Sequence, residues 1–200
     1  SNAKDAKGML ISSIKDPDPV IFFEHRWLHS TKDQVPKKYY LTKINKAKLI
    51  KRGTDITIIS FSYALIECLK AVNFLKKLNI SCELIDLRCL RPIDKKTVIK
   101  SVKKTGKVLI VDNGWTTNGI SAEVSSIINE SINKRILVRR IGVYNVPIPS
   151  TPSIAKYCYP DDVNIIESIS KILNKKVLKK NMPKRRKNLD QPDNSFVGPF

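Results

Sequence analysis

The sequence predicts an α/β fold in which helices cover both faces of a mostly parallel five-stranded sheet, a three-layer α/β/α arrangement. From about residue 46 onward, short apolar segments rich in β-branched residues alternate with amphipathic segments at helical spacing. The strand segments are apolar almost without interruption, as at residues 108–111, which is typical of strands that are buried on both faces. A helix between successive strands predicts right-handed crossovers.

The segment before this alternation has a different pattern. Apolar residues at positions 6, 9, 10 and 14 predict a helix over residues 6–14, which Pro17 and Pro19 end because proline removes a backbone donor. The apolar residues 20–23 predict a buried strand, and residues 26–44 are interpreted as an irregular linker.

Nine elements follow in the alternating part. In chain order they are strands at 46–52 and 56–61, a helix at 63–78, a strand at 80–87, a helix at 94–104, a strand at 107–112, a helix at 118–132, a strand at 136–141 and a helix at 161–173. The first strand is short, is closed by Gly53, and is interpreted as an edge strand that can pair antiparallel. Asp94 and Asp161 stand where free backbone N–H groups at a helix start accept a carboxylate.

The composition limits the function classes. With 42% hydrophobic residues the chain can bury a core, and no apolar run reaches the roughly 18 residues of a membrane span. The four cysteines include no close pair, so we expect free thiols and no zinc site. The formal charge of +19 is concentrated near the end, with nine Lys or Arg and no acidic residue between positions 171 and 187. Without interleaved aromatic residues, this pattern disfavours a nucleic-acid interface.

The usual signatures of an active site are missing. The chain has no glycine-rich phosphate loop and no nucleophile elbow. His25 and His29 are four residues apart, a spacing that suits two metal ligands on a helix, but Arg26 occupies the position of the glutamate in the zinc-binding motif. We therefore expect a packed or surface role for the two histidines and no metal.

The loop at residues 86–94 has two interpretations. Arg88 and Arg91 can form forks to a carboxylate or a phosphate. Alternatively the loop is a structural corner, in which Asp86 and the arginines bind loop backbone and Asp94 caps the next helix.

Two further loops follow strands. In the loop at residues 112–119, Asp112 and a glycine turn precede Trp115, which faces a ligand in one interpretation and covers an interface in the other. In the rigid loop at residues 146–152, Pro147 and Pro149 fix a contact surface or simply connect two elements.

These loops carry a resemblance. The sequence resembles the beta subunits of the thiamine-diphosphate-dependent pyruvate and branched-chain 2-oxo acid dehydrogenases, whose C-terminal domain is of the transketolase type. The matching runs are DAKGML at 5–10, PVIFFEH at 19–25, GTDIT at 53–57, IDLRCLRPID at 85–94, SVKKTG at 101–106 and VPIP at 146–149.

The resemblance implies a division of labour. The alpha subunit holds the cofactor diphosphate with magnesium, and the amino-terminal domain of the beta subunit meets the pyrimidine ring. We therefore expect no catalytic or cofactor-binding residue in this chain, although Glu24 and His25 are expected near the active-site domain of the parent. The implied partners are the alpha subunit, a second beta subunit and the dihydrolipoyl acyltransferase core, in the bacterial cytoplasm or the mitochondrial matrix.

The resemblance also predicts the domain organisation. Residues 1–3 are interpreted as a remnant of tag removal, residues 4–44 as the end of the pyrimidine-binding domain plus a linker, and residues 45–175 as the transketolase C-terminal-like domain. The basic residues 176–200 are expected to form an extended tail, in which Phe196 and Phe200 either dock on the domain or stay solvated. The resemblance implies that family chains commonly stop soon after the last helix, near residue 175 in this numbering. If the chain end helps to dock the acyltransferase, the tail can alter or block that contact.

Other hypotheses remain open. The domain can belong to a transketolase or deoxyxylulose-phosphate synthase relative, which share the fold. It can also act alone as a protein-interaction module, or bind nucleic acid through the tail. The segment at residues 24–29 differs from the usual pyruvate and branched-chain enzymes, so the 2-oxo acid stays unassigned.

Overall fold

A computed structural model describes residues 1–186 and residue 191. Its helices are α1 (Ala3–Ile14), α2 (Ala64–Lys76), α3 (Lys95–Thr105), α4 (Ile120–Ser131), α5 (Pro152–Ala155) and α6 (Asp162–Leu173). Its strands are β1 (Lys48–Lys51), β2 (Ile56–Ser60), β3 (Cys82–Asp86), β4 (Lys107–Trp115) and β5 (Leu137–Val143), and two 3-10 turns cover Arg26–Leu28 and Lys179–Asn181.

The sheet confirms the predicted fold class. Its five strands lie in the order β1-β3-β2-β4-β5. The pairs β3–β2, β2–β4 and β4–β5 are parallel, whereas β1 pairs antiparallel with β3 at one edge. The short first strand is therefore the antiparallel edge strand that the sequence predicts.

An apolar core lies on each face of the sheet, between the strands and the helices. On one face Ile58 and its neighbours pack against α2 and α6, and on the other Ile59 and its neighbours pack against α3 and α4. Adjacent residues of a strand point to opposite faces, which explains why Ile58 and Ile59 of β2 are both buried. Each fully buried Ile or Leu stabilises the fold by about 1.5–3 kcal/mol.

The amino-terminal segment lies against the domain. Helix α1 begins three residues earlier than predicted, at Ala3, because the side chain of Asn2 accepts a hydrogen bond from the Asp5 N–H. The linker then crosses α1 at Gly8, where a Cβ atom would lie 2.2 Å from Thr42 Oγ1. Residues 1–3, which the sequence analysis set aside, thus take part in the fold.

The predicted strand at residues 20–23 is wrong. These residues have no strand geometry, and Ile21 and Phe23 are 79% and 87% exposed. A strand is stabilised by a neighbour that pairs with its backbone, and none of the pairings in the described part of the chain involves this segment. An apolar run alone therefore did not identify a strand.

The last predicted helix is confirmed. Asp161 and Asn164 form a capping box at the start of α6. Beyond α6, the described residues include the turn Lys179–Asn181, and Val177 and Met182 pack against the core. Phe196 and Phe200 lie outside the described residues. Within the described part, no helix is both long and apolar enough to cross a bilayer.

Candidate functional site

The carboxyl ends of the parallel strands define the candidate site. The chain continues from β2 to β3 on one side of β2 and then returns to β4 on the other side. The direction in which strands are added to the sheet therefore reverses between β2 and β4. In open α/β sheets ligands bind in the crevice at such a point. Asp86 ends β3, and Asp112 and Asn113 lie in the last part of β4, so both predicted loops lie at this edge of the sheet.

Asp86 is fully buried at the end of β3. Its Oδ1 accepts a hydrogen bond from the Arg88 N–H at 3.0 Å, whereas Oδ2 has no hydrogen-bond partner among the described residues. Burial raises the pKa of this carboxyl, which favours its protonated form. The tight turn places Arg88 in the left-handed region, with φ of 57°.

The Arg88 side chain binds the protein itself. Its Nε and Nη2 donate to the Lys46 carbonyl at 2.9 and 2.6 Å, and its Nη1 lies 3.0 Å from Asp5 Oδ1. Arg88 therefore joins α1, the segment just before β1 and the loop after β3. This geometry matches the structural-corner interpretation of the loop.

Of the other charged residues of this loop, Asp94 binds protein groups and Arg91 is exposed to solvent. The side chain of Asp94 caps α3, where it accepts hydrogen bonds from the Thr97 N–H and hydroxyl, and it also accepts one from the Ala47 N–H. Burial raises the pKa of Asp94, but these hydrogen bonds and nearby Lys46 outweigh it, so the pKa is lowered. Arg91 is exposed, and its carbonyl accepts a hydrogen bond from the Cys89 thiol.

Two adjacent residues of β4 cap two different helices. Asp112 accepts hydrogen bonds from the Gly114 N–H and from the Ser121 N–H at the start of α4. The sequence analysis missed Asn113, whose Oδ1 accepts from the Ala64 N–H at 2.8 Å and whose Nδ2 donates to the Phe61 carbonyl. Both residues fix the loops around the crevice.

The ends of β4 and β5 expose an apolar surface. Trp115 pairs with Val143 across the two strands, and its side chain is 51% exposed. Pro147 is exposed and Pro149 half-buried in the loop that follows β5. Further large apolar side chains are exposed along the same stretch: Tyr144, Val146, Ile148, Ile154 and Tyr157. A contiguous apolar surface is typical of a contact with another molecule.

His25 belongs to an aromatic cluster. Its ring stacks on Tyr63 with centroids 5.3 Å apart, and Trp27 meets Tyr63 edge-on at 4.9 Å. Burial, followed by the neighbouring His29, lowers the pKa of His25, and its Nδ1 accepts a hydrogen bond from the Trp27 N–H. Glu24 is exposed and lies 3.5 Å from His29.

Glu67 is a second residue that the sequence analysis missed. It is 1% exposed, and its carboxylate contacts Tyr63, Lys70 and Arg186. An available signal was its position in an apolar run of α2, since a buried carboxylate needs cationic or hydrogen-bonding partners.

The crevice does not combine a nucleophile, a base and an orienting group in the contacts described above. In the part of the chain that the structure describes, no three His, Cys, Asp or Glu side chains lie close enough to share a metal ion. All four cysteines are free and buried, and burial raises the pKa of Cys82 to about 12. The hydrogen bonds of Arg88, Asp112 and Asn113 hold separate segments of the chain together.

Comparisons with known proteins agree with one another. The family model for the transketolase C-terminal domain matches residues 45–165. The chain is 34% identical over 173 residues to the pyruvate dehydrogenase E1 component subunit beta of Rickettsia felis, covering 86% of this chain and 53% of that protein. It is 41% identical over 173 residues to the mitochondrial 2-oxoisovalerate dehydrogenase subunit beta of Dictyostelium discoideum, covering 84% of this chain and 46% of that protein.

A solved structure supports the fold. An inactive beta4 tetramer of a split-gene transketolase matches with a TM-score of 0.61 at 24% identity, covering 67% of this chain and 44% of that chain. The chain spans about half the length of the curated relatives it matches.

Proposed function

The chain belongs to the transketolase C-terminal domain family, and from that premise we propose that it is the carboxy-terminal part of the beta subunit of a thiamine-diphosphate-dependent 2-oxo acid dehydrogenase. The observation that carries the proposal is the identity of 34–41% to beta subunits of two such enzymes. The parent would release carbon dioxide from a 2-oxo acid and transfer the acyl group to a lipoyl disulfide, which is reduced as the thioester forms.

The described residues do not fit the cofactor. The buried carboxylates of Asp94 and Asp112 already accept backbone hydrogen bonds, and Asp5 is paired with Arg88 and Lys48. No side-chain cluster in the described part has the donor set of a metal site. The proposal therefore assigns thiamine diphosphate, which supplies the carbanion chemistry when bound, and magnesium to the alpha subunit and the pyrimidine-binding domain.

The role proposed for this chain is assembly. Exposed Trp115 and the loop with Pro147 and Pro149 form the surface that we assign to contacts with the alpha subunit or a second beta subunit. Glu24 and His25 lie on the segment that we assign to the edge of the active-site domain. Docking of a dihydrolipoyl acyltransferase core, and a location in the bacterial cytoplasm or mitochondrial matrix, are parts of the same proposal.

Reconstitution tests the activity. The beta subunit that contains this chain is combined with its alpha subunit, and reduction of an artificial electron acceptor is followed with pyruvate, 2-oxoisovalerate and 2-oxoglutarate in turn. We expect turnover of at least one 2-oxo acid, dependent on both subunits. Ketol transfer between sugar phosphates, without any 2-oxo acid turnover, would support the transketolase alternative instead.

Calorimetry tests the division of labour. Thiamine diphosphate with Mg²⁺ is titrated into the 200-residue chain, and we expect no heat of binding beyond dilution. The same titration into the alpha–beta assembly is the positive control. Tight binding to the chain alone would contradict the assignment of the cofactor to other parts of the enzyme.

A further inference from the structure

Three carboxylates meet where α6 begins. Glu67 and Asp161 are each 1% exposed, and Glu67 Oε2 accepts a hydrogen bond from the Asp162 N–H at 3.3 Å. Burial, with the charges of Glu67 and Asp161, raises the pKa of Asp162. We call these three residues the acidic notch. Buried charges of one sign destabilise a fold unless cations compensate them.

One compensating cation is Lys70 of α2, whose Nζ lies 3.1 Å from Glu67 Oε1, and two more come from the end of the described chain. We call residues 176–186 the arm. Arg185 Nε lies 2.8 Å from Asp161 Oδ2, and Arg186 Nη2 lies 2.9 Å from Glu67 Oε1. Each of the two adjacent arginines thus forms an ion pair with a different carboxylate. The planar guanidinium suits such sites because it offers several N–H donors in a fixed geometry.

The arm is also held by apolar contacts. Val177 and Met182 pack against the core cluster that α2 and α6 share. Lys180, Lys184 and Arg185 are all exposed on the same arm, but among the described residues the salt bridges from this arm to Glu67 and Asp161 come from the two arginines. General attraction between a basic segment and a protein surface would not distinguish these lysines from the arginines. The contacts of the arm are therefore specific to certain positions.

Tyr63 connects the acidic notch to the linker. Its hydroxyl donates to Glu67 Oε1 at 3.1 Å and lies 3.4 Å from Arg186 Nη2. Its ring is the one on which His25 stacks and that Trp27 meets edge-on. A change at Glu67 can therefore reach the linker through a single side chain.

We propose that the acidic notch is a binding site for a pair of adjacent arginines, that the arm of the same chain fills it, and that filling it holds His25 and Trp27 against Tyr63. The site is independent of the proposed catalytic function of the parent enzyme. It makes the arm a clamp between the end of the domain and the linker that precedes it.

Trp27 fluorescence tests the clamp in the full chain. In a Trp115→Phe background Trp27 is the single tryptophan. The double variant Arg185→Ala/Arg186→Ala is expected to shift Trp27 emission to longer wavelength, since the ring loses its packing. Lys180→Ala/Lys184→Ala removes the same charge from the same arm and is expected to leave the emission unchanged. Equal spectra for the two double variants would overturn the proposal.

A peptide supplied in trans tests the binding site. A fluorescein-labelled peptide of residues 176–186 is titrated into the unaltered chain and into the Arg185→Ala/Arg186→Ala variant. We expect binding to the variant at least about tenfold tighter, because in the unaltered chain the tethered arm competes at an effective concentration on the order of millimolar. Equal affinity for both proteins, or binding to neither, would overturn the proposal.

A conservative variant covers the case in which the alanine variant does not fold. Arg185→Lys/Arg186→Lys keeps both charges and loses the guanidinium fork. We expect it to retain the fold by circular dichroism, to shift Trp27 emission in the same direction, and to bind the peptide more tightly than the unaltered chain does. Emission and peptide affinity identical to those of the unaltered chain would show that charge alone suffices, which contradicts a site for arginines.

Discussion

Asp5 Oδ1 and Arg88 Nη1 lie 3.0 Å apart, although 83 positions separate the two residues in the chain. Both side chains are nearly buried, with 8% and 11% exposed. Lys48 also contacts Asp5, and Arg88 also binds the Lys46 carbonyl. The pair thus attaches α1 to the antiparallel edge of the sheet, which is where the amino-terminal segment joins the domain.

Replacing Arg88 is expected to destabilise the fold strongly. Arg88→Ala leaves the Asp5 carboxylate buried with less compensation and removes the donors to the Lys46 carbonyl, so we expect a loss of about 3 kcal/mol in the free energy of unfolding. Urea denaturation measures it. Arg91→Ala, in the same loop but exposed, is the control and is expected to change the stability by less than about 0.5 kcal/mol. Equal effects of the two substitutions would contradict this role of Arg88.

Local pattern explains which parts of this arrangement the sequence predicted. The central strands of the sheet are recognisable because burial on both faces makes them mostly apolar, and Asp94 and Asp161 are recognisable because a cap lies within three residues of its donor. The pairs Asp5–Arg88 and Glu67–Arg186 span 83 and 119 positions, and no local pattern encodes them. The wrong strand at residues 20–23 has the same origin, since pairing depends on a distant neighbour.

The stability of the chain is expected to depend on Asp5 ionisation. Burial opposes ionisation of this carboxyl, but Asn2, Lys48 and Arg88 outweigh it and lower its pKa below the ordinary value of 3.8. The folded chain therefore binds this proton more weakly than the unfolded chain, so the contribution is present above about pH 4 and is lost as the pH falls through the folded pKa.

The variant Asp5→Asn isolates this contribution. We expect the difference in unfolding free energy between the unaltered chain and Asp5→Asn to be constant above about pH 5 and to shrink below about pH 4. Other carboxyls with lowered pKa, including Glu83 and Asp94, are present in both proteins and cancel in the difference. Urea titrations at a series of pH values measure it, and a difference that grows toward acid would have the wrong sign.

Asn113 is expected to require its amide group. Asn113→Asp keeps the acceptor for the Ala64 N–H but replaces the donor to the Phe61 carbonyl by an oxygen, so we expect a loss of about 1–3 kcal/mol. Asn118→Asp is the matched control, because Asn118 is exposed and its positive φ tolerates aspartate. Thermal unfolding compares the two variants. If both lose the same stability, added negative charge and not the lost donor is the cause.

Trp115 is expected to contribute to assembly and little to the fold. Its side chain is 51% exposed at the end of β4, so Trp115→Ala should leave the unfolding free energy of the isolated chain nearly unchanged. A buried tryptophan at the centre of an interface contributes about 2 kcal/mol or more to binding. In the reconstituted alpha–beta assembly we therefore expect the dissociation constant of the subunits to rise at least about 30-fold, measured by analytical ultracentrifugation.

Tyr39→Ala is the control, because Tyr39 is 57% exposed but lies on the linker. Assembly that is equally strong in the unaltered and Trp115→Ala proteins would place the contact surface elsewhere on the domain.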